Sequence, residues 1–305
     1  MHRYVRIVTF LIVGGFALRA TAAAEPFPRV RAVVKPDDQI AFEVDGVERL
    51  RYHHGLQHVR PFWYPLLGPA GRGVTAMTHP HDPHGHGHHT SVWIAHHKVN
   101  ELGFWNDLSH TRIVHERIER LEDGADDASV TTRNGWLTAE GKKLVTEQRT
   151  TRYRPLPDGE SIIEIELTFT ATEGDVTFGK TSFGFLGVRV DKMMGVNDGG
   201  GTIRNAESGV NEKGVFWKSA RWVDYAGRVA PETVNGITLM DHPSNPRHPS
   251  YYHVRDDGWM GTSFCLYEPY VLKKGESLTL RHALYVHGDR TAQQIESAWE
   301  AFAKR

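Results

Sequence analysis

Apolar and polar residues alternate with a period of two along much of the chain, which is typical of β-strands with one buried face. The alternation is clearest over residues 161–170, SIIEIELTFT, where β-branched and aromatic residues predominate. Glycine-containing turn signals follow such runs at positions 159, 174, 198–201, 257–258 and 274–275. Because no helical periodicity is evident between these turns, the pattern predicts an antiparallel sandwich or barrel rather than an α/β sheet.

Two further elements are predicted near the carboxyl end. Residues 270–272 and 277–280 flank the turn sequence KKGE, which indicates a hairpin. Thr291 is a good helix cap, and Ile295, Trp299 and Phe302 follow at helical spacing on one face. We therefore expect a terminal helix packed against the sandwich.

The amino terminus has the pattern of a secretory signal peptide. Arg3 and Arg6 precede an apolar run over residues 7–18 and small residues up to Ala24. We expect cleavage after Ala24 or Ala22, with an uncleaved anchor as the alternative, and a periplasmic or secreted protein. No Pro/Ser/Gly-rich linker divides residues 25–305, which predicts a single domain.

Composition excludes several partner classes. The formal net charge is −1 and the basic residues are scattered, so nucleic acid is not an expected partner. The sequence after the signal lacks another apolar stretch of about 20 residues, so we expect no membrane association after signal removal. Cys265 is the sole cysteine, which prevents an intrachain disulfide, and its apolar surroundings predict a buried structural thiol.

The strongest chemical signal is a histidine-rich segment over residues 78–100, THPHDPHGHGHHTSVWIAHHKVN, which holds eight of the 19 histidines. If it is extended, His84, His86 and His88 share one face and His89 points to the other. Imidazole suits acid/base chemistry or a metal, so His86, His88 and His89 are candidate catalytic residues, and His86 and His88 are also candidate ligands for copper, iron or zinc. A solvated loop is the third interpretation.

A second constellation lies over residues 239–249, LMDHPSNPRHP, where three prolines fix a loop that carries polar groups. We assign Asp241 and His242 to catalysis, together with His253 further along the chain. Asn245 and Arg247 are candidate substrate-binding residues in the same loop.

Four isolated residues complete the candidate site. Trp105 and Asn106 offer an aromatic platform beside a polar group, which suits a sugar ring. Glu268 supplies a carboxylate at a strand end and is a candidate base. Arg189 stands in an apolar strand pattern, so it must pair with an acid or a ligand anion if it is buried, and we assign it to substrate binding.

Some of these residues carry a resemblance to a known family. The run from His86 to His89, Val99-Asn100 and Phe104-Trp105 resemble the DHPHHRG…VN…FW motif of the PmoA-like proteins, and residues 222–227 and 241–246 extend the likeness. Gly85, Gly87 and Thr90 depart from that motif. The family carries the name methane oxygenase, which implies a copper-dependent membrane subunit, and this chain has no span after its signal.

The same resemblance implies a galactose-mutarotase-like supersandwich, with a concave face able to hold a sugar. The sequence thus predicts an exported enzyme that acts on a sugar or oligosaccharide as a mutarotase, hydrolase or lyase, without a required cofactor. A histidine of the rich segment would donate a proton, while His242, His253 or Glu268 accepts one and Trp105 stacks on the ring.

Two alternatives stay open at this point: a histidine-ligated copper or iron oxidase or oxygenase, and a noncatalytic sugar- or metal-binding protein. The proposed mechanism that combines these groups requires that the histidine segment and the Asp241–His242 loop meet in one cavity.

Overall fold

A computed structural model describes residues 28–305, so the predicted signal peptide lies outside the described residues. In chain order the strands are β1 (Val30–Lys35), β2 (Gln39–Val44), β3 (Val47–His53), β4 (Phe62–Leu66), β5 (Val92–His96), β6 (Arg112–Glu122), β7 (Ala128–Leu137), β8 (Lys143–Pro155), β9 (Ser161–Ala171), β10 (Val176–Phe178), β11 (Gly184–Arg189), β12 (Thr202–Asn205), β13 (Trp222–Ala230), β14 (Thr233–Asp241), β15 (Tyr252–Arg255), β16 (Trp259–Thr262), β17 (Tyr270–Leu272) and β18 (Ser277–His287). The α-helices are α1 (Val196–Gly199), α2 (Asn211–Val215) and α3 (Ala292–Ala303).

The strands form two large antiparallel sheets and one small one. The first sheet has the order β1-β2-β3-β4-β5-β11-β16-β15, and the second has the order β12-β13-β14-β18-β9-β8-β7-β6. Strands β10 and β17 make the two-stranded sheet. This architecture confirms the prediction of a large all-β sandwich with a carboxyl-terminal helix. That residues 25–305 form one domain stays a prediction.

The alternation in β9 shows how the sequence builds the sandwich. Residues 163, 165, 167 and 169 are apolar and buried in the main core between the sheets. Ile162, on the opposite face of β9, joins a separate apolar cluster that also includes residues of α3. The second sheet is therefore covered on both faces, by the first sheet and by α3.

The faces of the first sheet can be assigned from one buried cation. The Arg149 guanidinium of β8 lies 5.1 Å from the Trp63 ring centroid and 5.9 Å from that of Tyr52, so both rings face the second sheet. Val92 pairs with Trp63 across β4 and β5, and Trp93 therefore points the other way. The face that carries Trp93 is the outer face of the first sheet.

Helix α3 begins as predicted. The Thr291 side chain accepts a hydrogen bond from the Gln294 backbone and the Gln294 side chain accepts one from the Thr291 backbone, which completes a capping box. Ile295 and Phe302 are buried against Met240 and other outer residues of the second sheet. The predicted apolar face of the helix is confirmed.

The hairpin predicted at residues 270–280 is wrong. Strand β17 pairs with β10, whereas β18 pairs with β9 and β14. The turn between them bonds to another strand, because the Gly275 N–H donates to the carbonyl of Ala171 at 2.7 Å. The chain thus passes from the small sheet into the second sheet instead of folding back on itself.

The predictions about Cys265 and about membrane spans can be compared with the described residues. Cys265 is a buried free thiol, and burial raises its pKa to about 12, as expected of a structural cysteine. Within residues 28–305, no helix combines the length and the apolar character needed to cross a bilayer.

Candidate functional site

The histidine loop, residues 78–89, is a series of turns and not an extended strand, so the alternation of faces considered for its histidines does not apply. The backbone N–H of His86 donates to the Asp82 carbonyl at 3.1 Å, and that of His89 donates to the His86 carbonyl at 3.1 Å. The Asp82 carboxylate also accepts from the Gly85 N–H at 2.9 Å, which stabilises the first turn. The turns bring the imidazole of His89 to 4.9 Å from that of His86 and to 4.6 Å from that of His88, measured between ring centroids.

Two histidines at the start of the loop anchor it. His79 Nδ1 accepts backbone N–H groups from His81 and Asp82, so its proton is on Nε2, which donates to Asp257 at 3.2 Å. His81 Nε2 lies 2.6 Å from the Asp198 carboxylate. These contacts fix the loop over the outer face of the first sheet.

The floor beneath the loop is a cross-strand row in which two glycines separate large side chains. Trp93 pairs with Gly187, Gly187 with Gly261, and Gly261 with His253. A Cβ at Gly187 would lie 2.9 Å from the rings of both Trp93 and Trp259, and one at Gly261 would lie 2.7 Å from Trp259. The indoles can lie across these strands because neither glycine carries a side chain.

His89 is held by this floor. Its ring stacks on Trp93 at 5.3 Å and on Trp259 at 5.2 Å between centroids, with interplanar angles of 27° and 19°. The side chain is buried, and its Nδ1 has no hydrogen-bond partner. Stacking therefore fixes the ring plane while at least one nitrogen stays unsatisfied.

Loop and floor enclose a cavity of about 400 Å³, which we call the histidine pocket. Its volume is within the range of small-molecule sites. The lining residues are His86, His88, His89, His97, Trp105, Asn106, Phe183, His253, Arg255, Asp257 and Trp259.

Several polar atoms of the lining are buried without a hydrogen-bond partner. They are Nδ1 of His89, His97 and His253, Oδ1 of Asn106 and Nε1 of Trp259. Most buried polar groups in proteins are hydrogen-bonded, because an unmade bond costs about 1–3 kcal/mol. This concentration of unsatisfied donors and acceptors therefore indicates a place that receives water or a polar ligand.

Three of the pocket histidines, His88, His89 and His253, are neutral at pH 7. Burial lowers the pKa of His88 to about 4, that of His89 to about 2 and that of His253 to about 4. Burial also lowers the pKa of His97. A neutral imidazole has one N–H donor and one nitrogen acceptor, so each ring can bond a hydroxyl group in either direction.

The charged groups around the pocket are already paired. Asp257 lies 3.2 Å from the buried Arg189 guanidinium, so an acid is the partner of this arginine, the first of the two that we considered. The Arg255 guanidinium lies 2.9 Å from Glu212. Arg189 is not part of the lining, so the structure places it behind Asp257 and not against a ligand.

The proposed convergence of the two polar loops is wrong. Asp241 ends β14 of the second sheet and accepts hydrogen bonds from Asn245 at 2.7 Å and from the Ser250 N–H at 2.8 Å, while His248 lies 2.7 Å from its other oxygen. The His242 ring packs on Phe302 of α3 at 5.0 Å. None of Asp241, His242 and Asn245 lines the histidine pocket, and their loop packs against α3 through His242 and His248 instead.

Arg247 and Glu268 belong to a third location. Both line a cavity of about 220 Å³ that shares no residue with the histidine pocket. The Arg247 guanidinium donates to the carbonyls of Phe264, Glu268 and Pro269, and thereby fixes the backbone. The Glu268 side chain is 79% exposed.

The pocket thus unites only some of the predicted residues. His86, His88, His89, His253, Trp105 and Asn106 line it. Trp105 is 3% exposed and is enclosed by Trp93, Trp259 and Phe183, so it does not offer the open stacking platform that we expected. Phe183, only partly buried, is the aromatic side chain better placed for that role.

Asp257, Trp259, Phe183 and His97 are pocket residues that the sequence did not single out. Asp257 was visible only as half of an Asp-Gly turn signal, and Trp259 follows directly after it. The available signal was Trp259, which stands beside a tight turn and two residues before Gly261. This signal indicates a pocket floor only once the cross-strand pairing of Gly261 is known.

The predicted metal ligands do not form a recognisable metal centre. Within residues 28–305, no group of three or more His, Cys, Asp or Glu side chains is arranged to hold a metal ion. His86 Nδ1 instead lies 2.8 Å from the Asp82 carboxylate, and the rings of His86 and His88 are stacked at 5.8 Å.

Comparison with known proteins corrects the family assignment. Residues 39–300 match the model of DUF6807, a family of unknown function, and not a PmoA-like family. The PmoA-like resemblance was therefore wrong, and the methane oxygenase name does not apply. No curated protein matches the chain.

Similar solved structures include galactose 1-epimerase from Lactobacillus acidophilus NCFM, with 7% identity and a TM-score of 0.39 over 86% of this chain and 98% of that one. A GalM/aldose epimerase homologue from C. elegans has 7% identity and a TM-score of 0.35 over 86% and 99%. A protein from the human microbiome described as a putative kojibiose phosphorylase has 10% identity and a TM-score of 0.33 over 64% of this chain. The match covers only 24% of the length of that protein. Similarity at this level transfers no activity.

Proposed function

Because the chain belongs to the DUF6807 family, whose function is unknown, we propose a function from the pocket itself: it is a carbohydrate-active enzyme that uses histidine acid/base chemistry. The substrate is a small sugar or oligosaccharide held in the histidine pocket. The observation that carries this proposal is the set of neutral, buried histidines whose nitrogens lack partners.

The chemistry of the lining supports a neutral, hydroxyl-rich ligand. Asp257 and Arg255 are each paired with a protein group of opposite charge, so they offer little net attraction to a charged ligand. Unpaired imidazole nitrogens and the Asn106 carbonyl oxygen match the alternating donors and acceptors of a sugar ring. The partly exposed ring of Phe183 supplies an apolar surface for the C–H face of such a ring.

The residues divide naturally into proton-handling roles. Because the Asp82 carboxylate engages Nδ1 of His86, the Nε2 atom of that ring is left to face a substrate hydroxyl. His253, buried and neutral, is the second candidate for moving a proton. Asp257 is the carboxylate of the lining, and Arg189 and His79 already engage it, so histidine-driven chemistry is favoured over hydrolysis between two carboxylates.

Proton NMR of the purified protein with a panel of monosaccharides and oligosaccharides tests this proposal. One spectrum detects anomer exchange, new reducing ends from hydrolysis and vinyl protons from elimination. We expect turnover of at least one sugar. His86→Phe and His253→Phe, which keep an aromatic ring and remove the nitrogens, should lower the rate by about 100-fold or more, the usual scale for an acid/base group.

His84→Ala is the matched control, because His84 is exposed in the same loop and does not line the pocket. Its rate should equal that of the wild type. Binding of sugars without any product would instead support a noncatalytic sugar-binding protein. Copper or iron near one ion per purified chain would support the oxidase alternative and contradict this proposal.

Export to the periplasm or the medium is a separate proposal. It is supported by the charged, apolar and small-residue pattern of residues 1–24 alone. The amino-terminal sequence of the protein recovered from a native host tests it, with Glu25 or Ala23 expected as the first residue.

A further inference from the structure

A second polar cluster lies between the two sheets, on the face of the first sheet opposite the histidine pocket. We call it the inter-sheet chamber and define it by six residues: Tyr52, His54, Trp63, His115, Asn134 and Arg149. The rings form a continuous series, with centroid distances of 5.3 Å from Trp63 to Tyr52, 5.7 Å from Tyr52 to His54 and 4.1 Å from His54 to His115. Asn134 pairs with His115 in the neighbouring strand.

A buried ion pair forms the inner end of the chamber. Arg149 and Glu147 are 1% and 0% exposed, and Nε of the arginine donates to the glutamate at 2.5 Å. The other Glu147 oxygen accepts from the Trp136 indole at 2.7 Å. Glu147 is therefore well satisfied, whereas Arg149 uses only one of its three nitrogens in this pair.

Several other polar atoms of the chamber are buried without a hydrogen-bond partner of ordinary geometry. They are both terminal nitrogens of Arg149, Nε1 of Trp63, Oη of Tyr52, both ring nitrogens of His54, Nδ1 of His115 and Oδ1 of Asn134. Within the cluster, Tyr52 interacts with Arg149 and Asn134, and His115 interacts with Asn134. Arg149, Trp63, Tyr52 and Asn134 are each at most 1% exposed. Buried polar groups in proteins are usually hydrogen-bonded, so this concentration of poorly satisfied groups indicates a place that receives a polar partner.

Donors outnumber acceptors in this set. The two free guanidinium nitrogens carry four N–H bonds in one plane, and Trp63 adds an N–H. Asn134 Oδ1 is an obligate acceptor, and the histidine rings supply one donor and one acceptor each when neutral. A partner rich in acceptors and able to meet two parallel N–H groups satisfies such a set best, and a carboxylate has that geometry.

We propose that the inter-sheet chamber is a binding site for a small carboxylate, held by Arg149 and Trp63. His54 and His115 are the half-buried members of the cluster, so they lie nearest to solvent. The site is distinct from the histidine pocket, since the first sheet separates them, and it does not depend on the proposed sugar chemistry.

Isothermal titration calorimetry of the full chain with acetate and formate tests this site, with acetamide as the uncharged control of similar shape. We expect saturable binding of one acetate per chain and a rise in the melting temperature with acetate concentration. Acetamide should give neither effect. Absence of saturable binding for both anions would show that the chamber holds water only, and would overturn the proposal.

Variants locate the binding. Trp63→Phe keeps the ring and removes one donor, so acetate affinity should fall by about 5-fold, the value of one hydrogen bond. Glu147→Gln combined with Arg149→Met removes both charges together, which avoids leaving a buried charge unpaired, and should abolish binding. Arg152→Met is the matched control, because Arg152 lies on the same strand, points to the other face and pairs with Asp127 at 2.6 Å.

The result that contradicts the location is acetate binding of wild-type strength in both Trp63→Phe and the double variant. If the double variant does not fold, Trp63→Phe alone decides. Binding that is lost in His253→Phe and retained in Trp63→Phe would place the anion in the histidine pocket instead.

Discussion

The histidine loop and the proline-braced loop, residues 241–249, look equivalent in sequence and differ completely in how their polar atoms are used. In the proline-braced loop, Asp241 is bonded by Asn245, His248 and Ser250, and its carbonyl accepts from the Trp299 indole at 2.9 Å. In the histidine pocket, His89, His97 and His253 each keep a buried nitrogen without a partner. A polar cluster that satisfies itself is a scaffold, whereas one that does not is prepared for a ligand.

Removing the centre of the scaffold should have the largest effect. Asp241→Ala leaves Asn245 and the Ser250 N–H without their buried acceptor, and we expect the free energy of unfolding to fall by about 3–5 kcal/mol. Urea unfolding measures the loss. Molecules that remain folded should keep wild-type affinity for sugar. A variant of normal stability without activity would mean that Asp241 acts in the site after all.

The second-largest effect is expected when a methyl group is added to the floor of the histidine pocket. Gly187→Ala places a Cβ 2.9 Å from Trp93 and Trp259, so one indole must move and the stack around His89 is disturbed. We expect about 1–3 kcal/mol of destabilisation together with weaker sugar binding, measured by thermal unfolding and titration. Gly174→Ala is the control, because nothing lies within 4 Å of its added Cβ. Equal behaviour of the two variants would contradict the described floor.

Acid should destabilise the protein through the pocket histidines. Burial holds the pKa of His89 at about 2 and that of His253 at about 4, below the ordinary 6.5 that these residues regain on unfolding. The unfolded chain therefore binds more protons between those values, and stability is full above pH 6.5 and falls as the pH drops below it. Urea unfolding between pH 7 and pH 4.5 should show this slope, and His89→Phe should reduce it.

The smallest effect is expected from a change at Glu268, the predicted base that lies outside the histidine pocket. Glu268→Gln alters a side chain that is 79% exposed, so stability should change by less than about 0.5 kcal/mol and sugar turnover should not change. Measured kcat and KM values equal to those of the wild type would confirm that the third location is separate. A large fall in kcat would return Glu268 to the list of catalytic residues.

The sequence predicted the fold because its main signals are local. Alternation in residues 161–170 gave β9, and the Thr291 cap with Ile295 and Phe302 gave α3. The hairpin at residues 270–280 failed, because whether a strand pairs with its neighbour or with a distant strand depends on long-range contacts such as that of Gly275 with Ala171. Local propensity contains no such information.

The site was predictable only in part, for a related reason. The density of histidines identified the correct loop, and six of the predicted residues line the pocket. The sequence could not reveal that Asp241 bonds within its own loop, or that Gly187 and Gly261 pair beneath an indole, because both facts depend on cross-strand register and on the course of the chain.

Asp257 has a consequence for how a substrate could enter. One of its oxygens pairs with the buried Arg189, and the other contacts only His79 Nε2 of the loop above. Loss of the His79 contact would therefore leave the Arg189–Asp257 ion pair intact on the sheet. A substrate that displaced His79 would break a hydrogen bond worth about 1 kcal/mol, while His81 on Asp198 and the stacked His89 continue to hold the loop.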